Sequence, residues 1–286
     1  MKNRATTAMQ NNPRYVFFGT PEFAATVLEE LVAGGMAPVA IVTNPDRPAG
    51  RKKELTAPPV KACGARAGVA IPCLQPEKLD EDFIHALKNI GAEVGVLAAY
   101  GKIVPRAVFE AFPKGIVVVH PSLLPKYRGA TPLQSVILAG EDITGTTLFV
   151  MDEKVDHGPV IASAQVPLLD TDTYSTLADK LAEASAALIL DALPCYVLGD
   201  ILPVPQNEAG ATYTKKFVSE DARVSLTMDD PVLVWRKVRA LNPEPGVWTM
   251  KEGRRMKILA AALTDGKLAL MKTQFDGELP KDVPFA

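Results

Sequence analysis

A histidine at the end of an aliphatic run is the first feature of the sequence that could do chemistry. Residues 116–119 (IVVV) are typical of a buried strand, and the run leads directly into His120 and Pro121. Histidine titrates near neutral pH and can therefore act as a general acid or base. A histidine at a strand end can equally be a polar residue that marks the edge of the core. His120 by itself does not separate these two interpretations.

Two carboxylates could serve as partners of this histidine. A second strand-like run, TTLFVM, is followed by Asp152 and Asp156. If both runs end at the same edge of an open α/β sheet, they end where such sheets bind ligands. The spacing therefore makes an acid/base site of His120 and Asp156 one interpretation, and a purely structural role of His120 stays the alternative. The other histidines, His85 and His157, are predicted to lie at the surface without a role.

Alternating strands and helices must position this site. RYVFFGT, APVAIVTN, AEVGVLAAYG and GIVVVH are typical of buried strands, whereas PEFAATVLEELVAG and DEDFIHALKNIG have helical spacing of their apolar residues. Such aliphatic strands in alternation with helices predict a doubly wound, mostly parallel α/β sheet of the Rossmann-like type. A long helix is predicted to begin at TYSTLADKL.

The composition changes after Leu198, where a segment rich in proline and glycine has no helical period. Beyond it, one amphipathic helix (DDPVLVWRKVRAL) is followed by short strand-like runs separated by turns. We predict a flexible N-terminal extension at 1–13, a catalytic domain at 14–198, a linker at 199–206 and a smaller β-rich domain at 207–286.

The overall composition excludes several classes of protein. With a formal net charge of −2 in 286 residues, the chain has no global attraction to polyanions or membranes, so any such site must be a local basic patch. Its three scattered cysteines do not form a zinc motif, and no metal is expected. No apolar stretch approaches the ~20 residues that span a bilayer, and the polar N-terminus lacks a signal-peptide centre. A cytoplasmic monomer without membrane contact is expected.

A cluster of basic residues lies between the second strand and the next helix. In TNPDRPAGRKKELTAPPVK, residues 43–61, four cationic side chains fall within seven positions: Arg47, Arg51, Lys52 and Lys53. A long loop of this composition can be a solvated charge run, or it can contact the phosphates of an RNA. The residues of the loop do not decide between these interpretations.

Six segments, taken in order, are more specific than any one of them. FFGTPEFA, TNPDRPAGRKKELTAPPVK, AAYGKIVP, HPSLLPKYRGATPLQ, MDEKVDHGPV and LNPEPGVW resemble the folate-dependent formyltransferases. The HPSLLP segment with a downstream aspartate is similar to the pattern of these enzymes in general. The basic loop and the second domain resemble the methionyl-tRNA formyltransferase family. The similarity extends from about Tyr15 to at least Gln274.

The resemblance implies transfer of a formyl group from 10-formyltetrahydrofolate to the amino group of methionine on initiator tRNA, for translation initiation in protein biosynthesis. By similarity, His120 would stabilise the tetrahedral oxyanion or relay a proton, and Asp156 would orient His120. The folate would be bound by two loops and the turn after His120. The implied folate-binding residues are Leu97, Ala98, Ala99, Tyr100, Gly101, Ser122, Asp152 and Val155.

The resemblance also implies how tRNA is bound. The basic loop would reach toward the tRNA acceptor end, and Arg51 matches the key arginine of the family. The C-terminal domain would be an OB-like β-barrel that supports the tRNA. Its candidate phosphate contacts are Lys215, Lys216, Arg236, Lys237 and Arg239.

Val118 departs from the family pattern, in which an asparagine stands two residues before the histidine. The asparagine amide would bind the developing oxyanion, and a valine cannot. Loss of one such donor typically lowers the rate by ~10²–10³. The chain also ends at Ala286, earlier than most relatives, so the last element of the barrel is expected to be missing.

Three hypotheses follow. The chain is an active methionyl-tRNA formyltransferase with a rate lowered by Val118, a homologue that binds folate and tRNA with weak or no catalysis, or a formyltransferase for a small amine such as a sugar nucleotide. The basic loop and the second domain favour the first two over the third. Only activity separates the first from the second.

Overall fold

The structure is a computed structural model that describes residues 12–50 and 53–284. The chain divides into two compact units. Unit 1 is formed by residues up to 126, 145–166 and 179–211, and unit 2 by 127–144, 167–178 and 212 onward. Unit 2 therefore takes two segments from within the predicted catalytic range 14–198.

The strands are β1 Tyr15–Gly19, β2 Ala40–Val42, β3 Arg47–Ala49, β4 Glu54–Thr56, β5 Cys73–Leu74, β6 Val94–Ala98, β7 Ile116–His120, β8 Arg128–Gly129, β9 Ile143–Val150, β10 Val160–Pro167, β11 Tyr213–Thr214, β12 Trp248–Lys251, β13 Arg254–Thr264, β14 Lys267–Phe275 and β15 Lys281–Asp282. The helices are α1 Glu22–Ala33, α2 Pro59–Arg66, α3 Glu81–Ile90, α4 Arg106–Phe109, α5 Pro132–Ala139, α6 Tyr174–Leu198 and α7 Pro231–Leu241, with a short 3₁₀ turn at Glu208–Gly210.

A seven-stranded sheet in the order β10-β9-β7-β6-β1-β2-β5 forms the centre of unit 1. The neighbours from β7 through β5 pair in parallel, and β9 runs antiparallel to β7. All five residues of each of β1, β6 and β7 are buried, which explains their aliphatic sequences. The predicted doubly wound, mostly parallel α/β fold is confirmed.

Helices cover both faces of this sheet because each buries one apolar side. On one face, α1 contributes Val27, Leu28 and Leu31 to a core that also contains β-strand residues. On the other face, α3 contributes Phe83 and Leu87. The first turn of α3 is stabilised by Asp80, whose carboxylate accepts a hydrogen bond from the Phe83 amide at 3.3 Å.

Helix α6 is the long helix predicted to begin at TYSTLADKL. It is more apolar than expected. Among the described residues, it alone is long and apolar enough to cross a membrane, with a mean hydropathy of 1.6. The expectation that no apolar stretch approaches the ~20 residues that span a bilayer is therefore wrong. A buried core helix passes the same test, and Ala182, Ala186, Ile189 and Leu193 of α6 all lie in the core of unit 1.

Unit 2 contains an antiparallel sheet in the order β12-β13-β14-β15, a short parallel pair of β8 with β11, and helices α5 and α7. Val234, Val238 and Leu241 form the buried side of α7, which packs against β13. The β-rich C-terminal part is thus confirmed. Closure of these strands into an OB-like barrel stays a prediction.

Candidate active site

Strand β7 fixes the position of His120. Side chains alternate across a strand, so His120 lies on the same sheet face as Val118, whereas Val117 and Val119 enter the core on the opposite face. The His120 side chain is only 6% exposed. Its carbonyl accepts a hydrogen bond from the Ser122 amide at 2.9 Å, and the strand ends there in a turn. The imidazole is therefore held at the end of a rigid element.

The turn after His120 is held by buried hydroxyl groups. The Ser122 hydroxyl donates to the Lys126 carbonyl at 2.7 Å, and the Thr147 hydroxyl donates to the Ser122 carbonyl at 2.7 Å. The Thr147 oxygen also accepts the Leu124 amide at 3.1 Å. Because Ser122 is fully buried and its hydroxyl donates to a backbone carbonyl, it shapes the turn and is not placed as a nucleophile.

Asp156 reaches His120 by a route that differs from the prediction. Since β9 is antiparallel to β7, its end lies beside the start of β7, and the Met151 amide donates to the Ile116 carbonyl at 2.8 Å. The segment after β9 does not begin at the carboxyl edge of the parallel strands, so the edge argument is wrong. The residues that follow bring Asp156 Oδ2 to 3.5 Å from His120 Nδ1. The predicted pair is nevertheless brought together.

Residues 151–158, called here the acidic loop, are tied to the segment just before the 3₁₀ turn. The Gln206 side-chain amide donates to the carbonyls of Asp156 at 2.9 Å and Gly158 at 2.8 Å. Val160 and Val204 exchange two backbone hydrogen bonds of 2.8 Å just beyond the loop. Sequence reasoning assigned this segment to a linker and missed Gln206, because a single glutamine after Pro205 in an irregular segment gives no sequence signal.

A cavity of about 440 Å³ opens beside the acidic loop. Its apolar wall is formed by residues of the sheet and the segment after β6, and its polar side by the acidic loop. The lining residues are Leu97, Lys102, Ile103, Val104, Arg106, Phe109, Val118, Phe149, Met151, Asp152, Glu153, Lys154, Val155 and Asp156. Val118 and Asp156, two of the three predicted catalytic positions, therefore share one cavity.

The predicted folate-binding residues divide into two groups. Those that line the cavity are Leu97, Asp152 and Val155. Those that do not are Ala98, Ala99, Tyr100, Gly101 and Ser122. Ala98 and Tyr100 are buried in the core, and Ala99 adopts a left-handed backbone with φ of 47°. Sequence reasoning missed the segment from Lys102 to Phe109, although IVP at its start is apolar.

Tyr100 lies in the apolar core next to this wall. Its carbonyl accepts hydrogen bonds from Thr20 at 3.0 Å and Asn44 at 3.2 Å. Burial raises the pKa of its phenol to about 12, and within the described residues the hydroxyl finds no hydrogen-bond partner. A phenol with this pKa remains protonated at neutral pH, so Tyr100 is not placed as a base.

Charged side chains lie at the cavity mouth. Arg106 contacts Glu110 at 2.6 Å and Glu153 of the acidic loop at 3.4 Å. These carboxylates, Glu110 above all, raise the pKa of the Arg106 guanidinium. The Lys102 ammonium donates to the carbonyls of Pro76 and Glu77 at 2.7 and 3.1 Å.

His157 lies at the same loop, next to Asp156. Its Nδ1 is 2.6 Å from Asp152 Oδ2, and its Nε2 is 3.7 Å from Glu208 Oε1. The imidazole is 29% exposed, much more than that of His120. The predicted surface position of His157 is confirmed, but the short contact with Asp152 was not expected.

The basic segment is not a simple loop. Strands β3 and β4 form a short antiparallel pair, and Arg47 of β3 contacts Glu77 at 2.6 Å. Lys53 lies in the turn with φ of 52°. Hydrogen bonds from Gln75 and Lys61 lower the pKa of Asp46 just before β3. The remaining two cations of the prediction, Arg51 and Lys52, lie outside the described residues.

Four of the five cationic candidates in unit 2 have partners of their own. Arg239 is buried over the Trp235 ring, and its guanidinium donates to the carbonyls of Asp172 and Leu169 at 2.7 and 2.6 Å. Burial also lowers the Arg239 pKa. Its assignment as a phosphate contact is therefore wrong. Lys215 contacts Asp221 at 2.8 Å.

The other candidates are more accessible. Lys237 donates to the Arg223 carbonyl at 3.1 Å, Arg236 to the Ala139 carbonyl at 3.4 Å, and Lys216 is exposed. A second cationic group was not expected: Arg223 and Arg255 lie over the Trp248 ring, 5.4 and 4.3 Å from its centroid.

Two family models match the chain. The formyl transferase model matches residues 13–193, and the formyl transferase C-terminal domain model matches residues 216–279. The methionyl-tRNA formyltransferase of Chloroflexus aurantiacus is 44% identical over 251 residues, which are 87% of this chain and 80% of that protein. That of Bacillus velezensis is 40% identical over 249 residues, 87% of this chain and 78% of that protein.

Solved structures show the same fold. Methionyl-tRNA formyltransferase from Clostridium thermocellum aligns with a TM-score of 0.62 and 17% identity, over 92% of this chain and 98% of that one. HypX from Aquifex aeolicus in complex with tetrahydrofolic acid aligns with a TM-score of 0.67 and 19% identity, over 96% of this chain and 46% of that one. The resemblance found in the sequence motifs is confirmed by the two family models and by the identity to the curated relatives. The chain therefore belongs to the methionyl-tRNA formyltransferase family and is a formyl-group transferase.

Proposed function

We propose that the chain transfers the formyl group of 10-formyltetrahydrofolate to the α-amino group of methionine on initiator tRNA. The contact of His120 with Asp156 beside the cavity carries this proposal. In the reaction the amine nitrogen forms a bond to the formyl carbon, and the bond from that carbon to N10 of the folate breaks. One proton leaves the amine and one reaches N10, so the site must stabilise an oxyanion and move a proton.

His120 can perform both tasks. A buried imidazole next to a carboxylate stabilises negative charge in its protonated form and can pass a proton between two nitrogens. The Asp156 carboxylate orients the ring through its contact with Nδ1. The contact of 3.5 Å is longer than an ordinary hydrogen bond, and such contacts often tighten when substrates bind.

The folate is proposed to occupy the cavity beside the acidic loop. A cavity of about 440 Å³ with an apolar wall and a few polar groups is typical of small-molecule sites. Leu97, Val118 and Phe149 provide an apolar surface for a flat heteroaromatic ring, and Asp152 provides acceptors for its N–H groups. The formyl group comes from the folate, and the described residues supply its binding and orientation. The tetrahydrofolate complex of the HypX structure supports this choice of ligand.

The tRNA is proposed to contact two separate basic surfaces. In unit 1 these are the β3–β4 pair and the residues around it: Arg47, Arg51, Lys52 and Lys53. In unit 2, Arg223, Arg255 and Trp248 combine cations with an aromatic ring, which suits single-stranded nucleic acid. An Arg51→Ala variant that binds charged tRNA as tightly as the parent chain would remove the β3–β4 region from the proposal. We further propose that the enzyme acts in the cytoplasm, where translation takes place.

Val118 is proposed to limit the rate. It lines the cavity on the same sheet face as His120, two residues away, which is where an amide could reach the developing oxyanion. Its isopropyl group offers no donor. Restoring the donor is expected to raise kcat by ~10²–10³.

Formylation of methionyl initiator tRNA with 10-formyltetrahydrofolate tests the proposal, with the parent chain compared with Val118→Asn. Val118→Thr is the matched control, because it buries a polar group at the same place without adding an amide. A gain in Val118→Asn that Val118→Thr lacks supports the proposal. If the parent chain and Val118→Asn are both inactive while folate and tRNA still bind, the chain is a binding homologue.

A further inference from the structure

Gln206 connects the segment between the two matched family regions to the acidic loop. Its side-chain Nε2 donates to the Asp156 carbonyl at 2.9 Å and to the Gly158 carbonyl at 2.8 Å. One primary amide thus uses both of its N–H groups on carbonyls that lie two residues apart. Gln206 lies outside the residues that the two family models match, which are 13–193 and 216–279.

The backbone at Asp156 needs such support. Asp156 has φ of 47°, in the left-handed region that residues other than glycine seldom adopt, and aspartate tolerates it at a small cost. This conformation turns the chain so that the Asp156 side chain contacts His120 while its carbonyl accepts from Gln206. The carbonyl and the carboxylate of one residue are therefore held by two different elements.

Neighbouring contacts fix the segment that carries Gln206. Residues 204–208, called here the strap, begin with the paired backbone hydrogen bonds between Val204 and Val160. They end at Glu208, whose carboxylate lies 3.7 Å from His157 Nε2. Gln206 lies between these two attachments, so its amide is held opposite the loop with little freedom to move away.

We propose that Gln206 is a positioning residue for formyl transfer, which acts by holding the Asp156 backbone so that its carboxylate contacts His120. This inference rests on the proposed function of His120 and Asp156. Gln206 does not touch the reacting atoms. Its contribution depends on two N–H donors at the end of a side chain of this length.

Two substitutions remove the donors and keep the length. Gln206→Met is uncharged and offers no N–H, whereas Gln206→Glu is nearly isosteric and places acceptors against two carbonyls. We expect kcat to fall by about 10²-fold in each, because displacement of a catalytic group by about 1 Å has that effect. KM for folate and for tRNA should change by less than threefold. Gln165→Met and Gln165→Glu, at an exposed position of β10, are the matched controls and should keep the parent rate.

A double-mutant cycle with Asp156→Asn separates positioning from a general structural role. If Gln206 acts through the Asp156 carboxylate, Gln206→Met should lower kcat by less than threefold in the Asp156→Asn background. Equal losses in both backgrounds, or no loss in the parent chain, would overturn the inference. An Asp156→Asn variant with the parent rate would instead overturn the proposed function, so the two failures are distinguishable.

NMR of the imidazole rings provides a readout that does not need activity. The chain has only three histidines, so the His120 signals can be assigned by substitution. Gln206→Met should move the His120 signals in the same direction as Asp156→Asn and leave those of His85 in place. Unchanged His120 signals in a folded Gln206→Met variant would also overturn the inference.

Discussion

The acidic loop contributes one aspartate to each of two aspartate–histidine pairs, and the shorter pair is the more exposed one. Asp152 and His157 are 2.6 Å apart, whereas Asp156 and His120 are 3.5 Å apart. The shorter pair has exposed fractions of 35% and 29%, and the longer pair has 19% and 6%. A search for the closest acid/base pair would choose His157 and not His120, the proposed catalytic histidine.

In the proposed mechanism, placement of the histidine on a rigid element therefore matters more than a short contact with a carboxylate. His120 belongs to a central strand that is buried along its whole length, and Asp156 is held through Gln206. His157 lies on the loop itself and shares a second carboxylate, Glu208. Exposed ion pairs are screened by water and contribute little, whereas a buried group is well oriented and interacts strongly with a developing charge.

Removal of the buried His120 imidazole should have the largest effect on kcat. His120→Ala is expected to lower kcat for methionyl-tRNA formylation by about 10²–10⁴, because positioned acid/base groups contribute that much. Steady-state formylation assays measure this effect, and a folate-binding assay shows that the cavity is intact. A loss of less than tenfold would contradict the assignment of His120.

Neutralising Asp156, the carboxylate of the same pair, should have the second-largest effect on kcat. Asp156→Asn keeps the size of the side chain but removes the negative charge that faces His120 Nδ1. We expect kcat to fall by about 10²-fold, since the imidazole is no longer held in its productive orientation. The comparison would fail if Asp152→Asn lowered kcat as much as this variant does.

Asp152, the carboxylate of the more exposed pair, should affect folate binding more than kcat. Asp152 lines the cavity, and its carboxylate also accepts the Lys154 amide at 2.9 Å. Asp152→Asn is therefore expected to raise KM for 10-formyltetrahydrofolate by about tenfold, the loss of one charged hydrogen bond, with kcat within threefold of the parent. Initial rates at varied folate concentrations separate the two constants. An unchanged KM would show that Asp152 does not contact the folate.

Removal of the partly exposed His157 imidazole should have the smallest effect on kcat. His157→Asn is expected to change kcat by less than about threefold and the free energy of unfolding by at most about 1 kcal/mol, because a partly exposed ion pair contributes little. Formylation assays and urea denaturation measure the two quantities. A loss comparable to that in His120→Ala would remove the distinction between the two histidines.

Local patterns predicted much of unit 1. The aliphatic runs that form β1, β6 and β7 are buried on both faces of the sheet. Strands of this kind are continuous apolar runs and are therefore easy to recognise in a sequence. The helical spacing of α1 and α3 was equally clear. The antiparallel direction of β9 was not visible, because an aliphatic run reads the same for either strand direction. The edge argument for Asp156 was therefore wrong although the pair it predicted is present.

The candidate site was predictable only in part. His120, Asp156 and Val118 were found from motifs, and Leu97, Asp152 and Val155 do line the cavity. The sequence could not indicate Gln206, which is distant in the chain from the loop that it holds. Nor could it show that Arg239, one cation among many, is buried and donates to two backbone carbonyls.

The sequence by itself determined the family, the fold class of unit 1 and the residues that are proposed to carry the chemistry. Those features depend on residue type and short spacing, which a linear pattern records. Only the tertiary structure decided the route by which Asp156 reaches His120, the contact of Asp152 with His157, and the support of the acidic loop by a residue of the strap. These contacts join segments that are up to 50 residues apart, and their geometry arises only when the sheet is assembled.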